Sequence, residues 1–284
     1  MHIDFETLER PYFIGEIGIN HNGDVQIAKR LLDAVFACQW DCAKFQKRTP
    51  AISVPEQQKS VMRDTPWGRM TYLDYRYRVE FEKKEYDYID SYCKEKPLHW
   101  TASVWDIQSL KFLLEYDVPF LKVPSAFITN DELLTECARS RVPLVLSTGM
   151  STLEEVDHAV ELVIKNGVKP VVMHTNSTYP SAHNELNLAL IPFYKQRYGC
   201  VIGYSGHEED LEPTVVAIAM GAQVVERHIT LSHDFWGSDH KASLEVLAMD
   251  MLSKRARNVQ VMIGKSEKRV TEGEIPIRKK LRGT

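Results

Sequence analysis

No stretch of this sequence is apolar for long enough to span a bilayer, and the opening Met1-His2-Ile3-Asp4-Phe5-Glu6 is too polar for a secretory leader. Membrane insertion and export are therefore not expected. Cysteine is scarce: Cys38, Cys42, Cys93, Cys137 and Cys200 are odd in number, scattered, and form no Cys-x-x-Cys pair. That spacing argues against a disulfide framework and against a thiolate zinc site, and a reducing cytoplasm fits best. Cys42, beside the apolar run that ends in Lys44-Phe45-Gln46, reads as a small core residue rather than a nucleophile. An excess of charge of either sign is also missing. With 35 basic against 39 acidic residues and a net charge of -4, no global field gathers nucleic acid or an anionic membrane, so a small-molecule partner is expected. No Gly-x-Gly-x-x-Gly follows the first apolar run, which weakens a dinucleotide site, and no Pro/Gly/Ser-rich linker divides the chain.

What the 284 residues do contain, at 44% hydrophobic and 26% charged, is a continuous alternation of short apolar runs with amphipathic stretches. That pattern indicates one α/β domain with a parallel sheet. Strands are read at Tyr12 to Ile17, Cys42 to Gln46, Leu98 to Ser103, Phe120 to Val123, Leu144 to Ser147, Val171 to His174, Val201 to Tyr204 and Val224 to His228. Helical spacing separates them. Ala28, Leu31, Leu32 and Val35 make one stripe on a helix from Val25 to Phe36, capped by Asp24. A capping box from Ser151 to Glu154 opens another helix, which runs to Lys165 and ends at Asn166-Gly167. Eight strand–helix units in roughly the ~250 residues typical of the fold point to a (β/α)8 TIM barrel rather than an open doubly wound sheet. Two segments, Arg48 to Val79 and Asn176 to Glu185, are too long for bare connections, and the first is expected to cover the site.

In such barrels the reacting groups sit at the C-terminal ends of the strands. Here those ends read Glu16, Lys44 with Gln46, Thr101 with Ser103, Lys122 with Ser125, Ser147 with Thr148, His174 with Ser177 and Tyr179, Ser205 with His207, and His228. Side chains two apart on a strand share a face, so Lys44 and Gln46 point inward, as do Glu226 and His228, while Arg227 faces outward. A lysine at the inward end of an apolar strand needs an anion or a carboxylate. Lys44 and Lys122, with the hydroxyls of Thr101, Ser125, Ser147, Ser177 and Ser205, form a donor ring suited to the phosphate and carboxylate of one small ligand. The competing reading pairs both lysines with Glu16 and Glu226 as structural ion pairs.

His207 and His228, from neighbouring strands, could hold one cation through neutral imidazoles and leave positions open for water and substrate. A hydrogen-bonded structural role is the alternative for each. His99, His158, His183 and His233 carry no comparable signal, and His21 and His174 need only hydrogen-bond near the mouth. Gly149, in Ser147-Thr148-Gly149-Met150, opens onto the capped helix, whose free N–H groups can bind an anion; a tight turn explains the glycine equally well.

Taken in order, several whole motifs resemble the N-acetylneuraminate (sialic acid) synthase family, which includes the legionaminate and pseudaminate synthases. They are Glu16-Ile-Gly-Ile-Asn-His-Asn-Gly23, Lys44-Phe-Gln46, Lys122-Val-Pro-Ser125, Leu146-Ser-Thr-Gly-Met150, Ser177-Thr-Tyr-Pro180, Ile202-Gly-Tyr-Ser-Gly-His207, Glu226-Arg-His-Ile-Thr230 and Ser238-Asp-His-Lys-Ala-Ser243. The resemblance implies a homodimeric transferase that condenses phosphoenolpyruvate with an N-acetylmannosamine-type sugar aldehyde. Phosphoenolpyruvate would be held by residues matching Lys44, Thr101, Lys122, Ser125, Ser147, Ser177 and Ser205. His207 and His228 match ligands of a divalent metal, Mn2+ with Mg2+ or Co2+ as substitutes, and Glu16, Gln46, Tyr179 and Asp239 match positions around the acceptor. In the implied course, C3 of phosphoenolpyruvate attacks an aldehyde polarised by the metal, Glu16 serves proton transfer, water adds at C2 and phosphate leaves.

The chain departs from the family pattern at Ala102, where a proline is usual, and at Gly206, where an aspartate is frequent. Residues 1–270 are expected to form the barrel, and 271–284 a C-terminal tail that begins a linker to an absent antifreeze-like domain. Two further readings stand beside the main one: a legionaminate- or pseudaminate-type synthase, and a non-catalytic barrel that binds phosphoenolpyruvate or a keto acid.

Overall fold

The computed structural model describes residues 2–283. Its strands are β1 (Tyr12–Gly18), β2 (Cys42–Lys47), β3 (Met62–Thr65), β4 (Gly68–Thr71), β5 (His99–Val104), β6 (Leu121–Val123), β7 (Leu144–Ser147), β8 (Val171–Thr175), β9 (Ile202–Gly206) and β10 (Val224–His228). β3 and β4 form a separate hairpin. The other eight close a parallel barrel in the order β1-β10-β9-β8-β7-β6-β5-β2, so the expected (β/α)8 architecture is the observed one. Its strands are buried on both faces, which is why they read as apolar runs rather than alternating ones.

The barrel interior is layered. At the bottom, Tyr12, Ile14, Cys42, Phe120, Val145, Met173 and Val224 form an apolar plug, and Phe5 closes it with its ring edge-on to Phe120 at 5.5 Å. The polar residues lie above this plug. Register then sets the next layer, because Glu16 stands beside Lys44 on β2 and beside His228 on β10. Lys44 neighbours Thr101, and Ser103 neighbours Lys122. A second, larger apolar layer fills the space between strands and helices.

Helix boundaries follow local chemistry with one correction. Asp24 caps the helix Val25–Ala37, as read, by accepting from the Gln26 N–H. The helix Leu153–Lys165 begins one residue later than expected, because Thr152, not Ser151, is the cap and pairs reciprocally with Glu155, not Glu154. The Ser151 hydroxyl instead donates to the Gly149 carbonyl. The helix Val246–Ile263 packs on the barrel, whereas residues 264–283 are exposed along their whole length, so packing ends before position 270. No helix among the described residues is long and apolar enough to cross a membrane.

The long connection between β2 and β5 holds the β3–β4 hairpin and the helix Tyr72–Val79. Tyr75 and Val79 pack with Ile19, from the loop after β1, and with Trp236, from the loop after β10. The segment therefore lies across the mouth of the barrel, as expected of it.

Arg227 faces outward as parity requires, yet it is fully buried between barrel and helices. Its Nη1 lies 3.0 Å from Glu208 Oε1 and donates to the Thr214 hydroxyl and the Asp210 carbonyl. Glu208 also accepts from the Tyr204 hydroxyl at 3.0 Å. This clasp explains Gly206: a Cβ there would stand 2.5 and 2.7 Å from the Glu208 carboxylate oxygens, so no side chain fits. Because Glu208 follows His207 and Arg227 precedes His228, the clasp also braces both histidines from behind. Glu208→Ala leaves a buried guanidinium without its carboxylate and is expected to cost roughly 3–5 kcal/mol, with Glu208→Gln costing less. Thermal unfolding of the two variants checks both the size and the order.

Candidate functional site

A cavity of about 270 Å³ opens at the C-terminal ends of the strands. Every site residue read from the sequence lines it except Thr101. Thr101 lies a layer lower, fully buried, with its hydroxyl donated to the Phe120 carbonyl at 2.6 Å, while Ser103 two residues on reaches the cavity. Arg76, Trp105, Met150 and Thr175 also line it and were not picked out. Trp105 sits two residues and Thr175 one residue beyond the strand ends read from the sequence, so extending those strands would have found them. Arg76 and Met150 carry no such signal.

Four buried charges make the floor. Lys44 Nζ lies 2.7 Å from Glu16 Oε2 and 3.5 Å from Glu226 Oε1, and Lys122 Nζ lies 3.2 Å from Glu226 Oε2. The lysines are thus paired with the two glutamates, and all four also face the cavity. The environment treats them differently. Burial opposes ionisation of Glu226, but Lys122 and Lys44 outweigh it and hold this carboxyl below its ordinary range. Burial raises Glu16, with Lys44 opposing the shift and Glu226 reinforcing it, so Glu16 keeps its proton more readily than an exposed carboxyl. For Lys44 the two carboxylates overcome burial and raise its pKa, whereas for Lys122 burial prevails and lowers it. An anion arriving at Lys122 would supply the compensation that its single glutamate leaves incomplete.

Beside Lys122 the hydroxyls converge on one turn. The Gly149 N–H donates to Ser125 Oγ at 3.0 Å, and a Cβ at 149 would collide with Ser177 Oγ and stand 2.9 Å from Ser125 Oγ. Ser147 Oγ is buried without a hydrogen-bond partner, and Ser205 Oγ makes only a long 3.4 Å contact to Glu226. These hydroxyls keep hydrogen-bonding capacity that the protein's own groups do not use. The helix N-terminus proposed for this role is not part of the cradle. Ser151 and Thr152 line a separate surface hollow, and the first-turn N–H of Glu155 is taken by Thr152.

On the opposite wall, Gln46 Nε2 donates to Glu16 Oε1 at 2.9 Å, and its side-chain oxygen accepts from Arg48. Asp239 arrives on the loop after β10, which is tied down by the Asn20 amide donating to Ser243 Oγ and by contact between Thr230 Oγ1 and His240 Nδ1. Burial opposes its ionisation, but His228, the Ser238 hydroxyl and the charges of Arg76 and Arg48 keep Asp239 below the usual carboxylate range.

The rings of His207 and His228 stand 5.4 Å apart between centroids. Burial pushes His207 down to about 3 and lowers His228, so both imidazoles are neutral at pH 7. The Asn176 carbonyl oxygen accepts from His207 Nδ1, which assigns the lone pair to Nε2; that nitrogen meets the Tyr179 hydroxyl at 2.9 Å. Tyr179 stacks on His207 at 4.1 Å. His228 Nδ1 is buried with no hydrogen-bond partner and lies 3.9 Å from Asp239 Oδ2. No group of three or more His, Cys, Asp or Glu poised to hold a metal occurs among the described residues.

Fold and site together define a (β/α)8-barrel enzyme whose mouth is lined by charged and hydroxyl side chains. More particularly, the NeuB family model matches residues 31–268, and the chain belongs to the NeuB family. Among curated relatives, N-acetylneuraminate-9-phosphate synthase of Mus musculus is 34% identical over 278 residues, covering 95% of this chain and 76% of the relative. N,N'-diacetyllegionaminic acid synthase of Campylobacter jejuni is 31% identical over 277 residues, covering 94% of this chain and 81% of the relative. Among solved structures, the N-acetylneuraminic acid (sialic acid) synthetase of Leptospira borgpetersenii, in complex with citrate, superposes with a TM-score of 0.88 at 26% identity and covers 100% of this chain and 98% of its own.

The hydroxyl cradle has a direct test. Gly149→Ala puts a methyl group among Ser125 and Ser177 without disturbing the barrel core, and is expected to weaken phosphoenolpyruvate binding by at least about tenfold through lost charge-assisted hydrogen bonds. Titration calorimetry measures the loss, and an unchanged melting temperature shows that it is local.

Proposed function

We propose that this protein condenses phosphoenolpyruvate with an N-acetylmannosamine-type sugar aldehyde, giving a sialic-acid-like 2-keto acid and phosphate. Membership of the NeuB family and the named relatives support the reaction class. The observation that carries it to this chain's own residues is a pair of buried, unpartnered atoms opening on one cavity: the Ser147 hydroxyl on the anion side and His228 Nδ1 on the aldehyde side.

Lys122, Ser125, Ser147, Ser177 and Ser205 hold the phosphate and carboxylate of phosphoenolpyruvate, with Lys44 closing the floor beneath them. Thr101 supports the layer from below through its bond to Phe120. Gln46, Tyr179 and Asp239 position the acceptor so that its aldehyde carbon faces C3 of phosphoenolpyruvate. As the C3–C1 bond forms, the carbonyl electron pair moves to the aldehyde oxygen, and Glu16, which keeps its proton more readily than an ordinary carboxyl, supplies that proton. Water adds at C2, and the C–O bond to phosphate breaks from the tetrahedral intermediate.

His207 and His228 fit a divalent cation, since both are neutral and His228 Nδ1 lacks a partner. Two imidazoles suit a loosely held ion, Mn2+ with Mg2+ or Co2+ as substitutes, over a closed structural site. When bound, the cation supplies Lewis-acid polarisation of the aldehyde. The protein is placed in the cytoplasm, where its five free, buried cysteines stay reduced, and is expected to act as a homodimer.

The test is phosphate release from phosphoenolpyruvate with Mn2+, screened across N-acetylmannosamine and diamino-trideoxy acceptors. Release with one acceptor class, abolished in the His207→Ala, His228→Ala double variant, is expected. Calorimetry of Mn2+ binding should lose its signal in the same variant. Silence with every acceptor, or full activity in the double variant, overturns the reading.

A further inference from the structure

Met150 lines the cavity but has no part in the reaction just described, and its backbone is unusual. Its φ is 61°, in the left-handed region that is unfavourable for a residue with a side chain. The other non-glycine residues with positive φ among the described residues have local reasons for it. Asn22 and Asn187 are of a type that tolerates the region, and Gln39, Pro97 and Arg141 each come directly after the C-cap of a helix, where the chain turns. Met150 has neither reason.

The turn cannot relax, because it is fastened on both sides. Before it, the Thr148 N–H donates to the Met173 carbonyl at 3.1 Å and the Gly149 N–H to Ser125 Oγ at 3.0 Å. After it, the Ser151 hydroxyl donates to the Gly149 carbonyl and the Thr152 N–H to the Glu155 carboxylate. Glycine at 150 would relieve the strain. The side chain adds little to the core, since Met150 is 73% exposed. A strained backbone that carries an exposed apolar side chain has its use outside the fold.

Position indicates that use. Met150 lines the cavity beside the Ser125, Ser147 and Ser177 hydroxyls, and with Thr175 it also lines the neighbouring surface hollow that holds Ser151, Thr152, His174 and Asn176. The thioether thus stands on the edge shared by the anion cradle and a polar hollow. An unbranched, adaptable side chain there can fold over a ligand in the cradle. Such a cover displaces water that competes for the cradle's hydrogen bonds and strengthens each of them.

We infer that Met150 covers the anion held in the Gly149 cradle and seals it from the adjoining hollow. That anion is phosphoenolpyruvate in the synthase reading above, on which the inference rests.

Calorimetric titration of phosphoenolpyruvate at two salt concentrations compares the wild type with Met150→Gly and Met150→Leu. Met150→Gly is expected to melt no lower than the wild type, because the relieved backbone offsets the freedom that glycine gains on unfolding. It should nevertheless bind phosphoenolpyruvate at least about fivefold more weakly, with affinity falling more steeply as salt is added, since an uncovered anion is screened more. Met150→Leu, which keeps an apolar side chain of similar volume, should stay within about twofold of the wild type. Unchanged affinity and salt dependence in Met150→Gly, or a lowered melting temperature that assigns Met150 to packing, overturns the assignment. Inorganic phosphate, titrated in parallel, separates this inference from the synthase reading. A wild type that binds phosphate and not phosphoenolpyruvate removes the synthase reading, and the phosphate affinities of wild type and Met150→Gly then decide the cover on their own; binding of neither overturns both.

Discussion

The site depends on four ionisable side chains that are almost wholly buried yet face the cavity. Glu16, Lys44, Lys122 and Glu226 sit on four strands directly above an apolar plug, where any one of them alone would be strongly destabilising. They persist because each cation touches a carboxylate and because the set can sum to zero charge. The pairing is uneven: Glu226 serves two lysines, and Glu16 serves one. Burial raises Glu16 and lowers Lys122, and the uneven pairing does not fully offset it in either case; in the proposed function these two serve as acid and anion receptor.

β10 shows how the barrel accommodates this. Glu226, Arg227 and His228 are consecutive, and alternation sends the first and third inward and the second outward. Arg227 then needs its own countercharge behind the strand, which Glu208 provides, and that clasp excludes a side chain at Gly206. The departure from the family pattern at 206 is therefore tied to the carboxylate two residues on. Polar chemistry inside the barrel is matched by a second buried pair outside it.

Much of this was legible in the sequence because parallel barrels express their order in period and parity. Buried strands appear as apolar runs, and inward charges appear at alternating positions near their ends, so Glu16, Lys44, Lys122, Glu226 and the histidine pair could be placed by counting. Thr101 was given a place in the cavity because parity identifies the face and not the reach of the side chain; it stands beside Lys44 in register, but its short hydroxyl is taken by the Phe120 carbonyl. The helix cap was read one residue early because Ser151-Thr152 and Glu154-Glu155 offer two overlapping boxes. Asp239 and Arg76 lie on connections whose paths are set by long-range packing around Trp236, Tyr75 and Ile19, which no local period encodes. Asp239 was reached only through resemblance, and Arg76 not at all.

If the uneven charge cluster is what makes the mouth an anion site, then Lys122 should matter to phosphoenolpyruvate far more than to the fold. Calorimetric titration of phosphoenolpyruvate into the wild type and Lys122→Met measures this directly. The account predicts a loss of at least about tenfold in affinity, with the variant still folded, since a charge-assisted contact to the ligand is removed. Equal affinity in the two proteins would contradict it and leave the lysines as structural ion pairs.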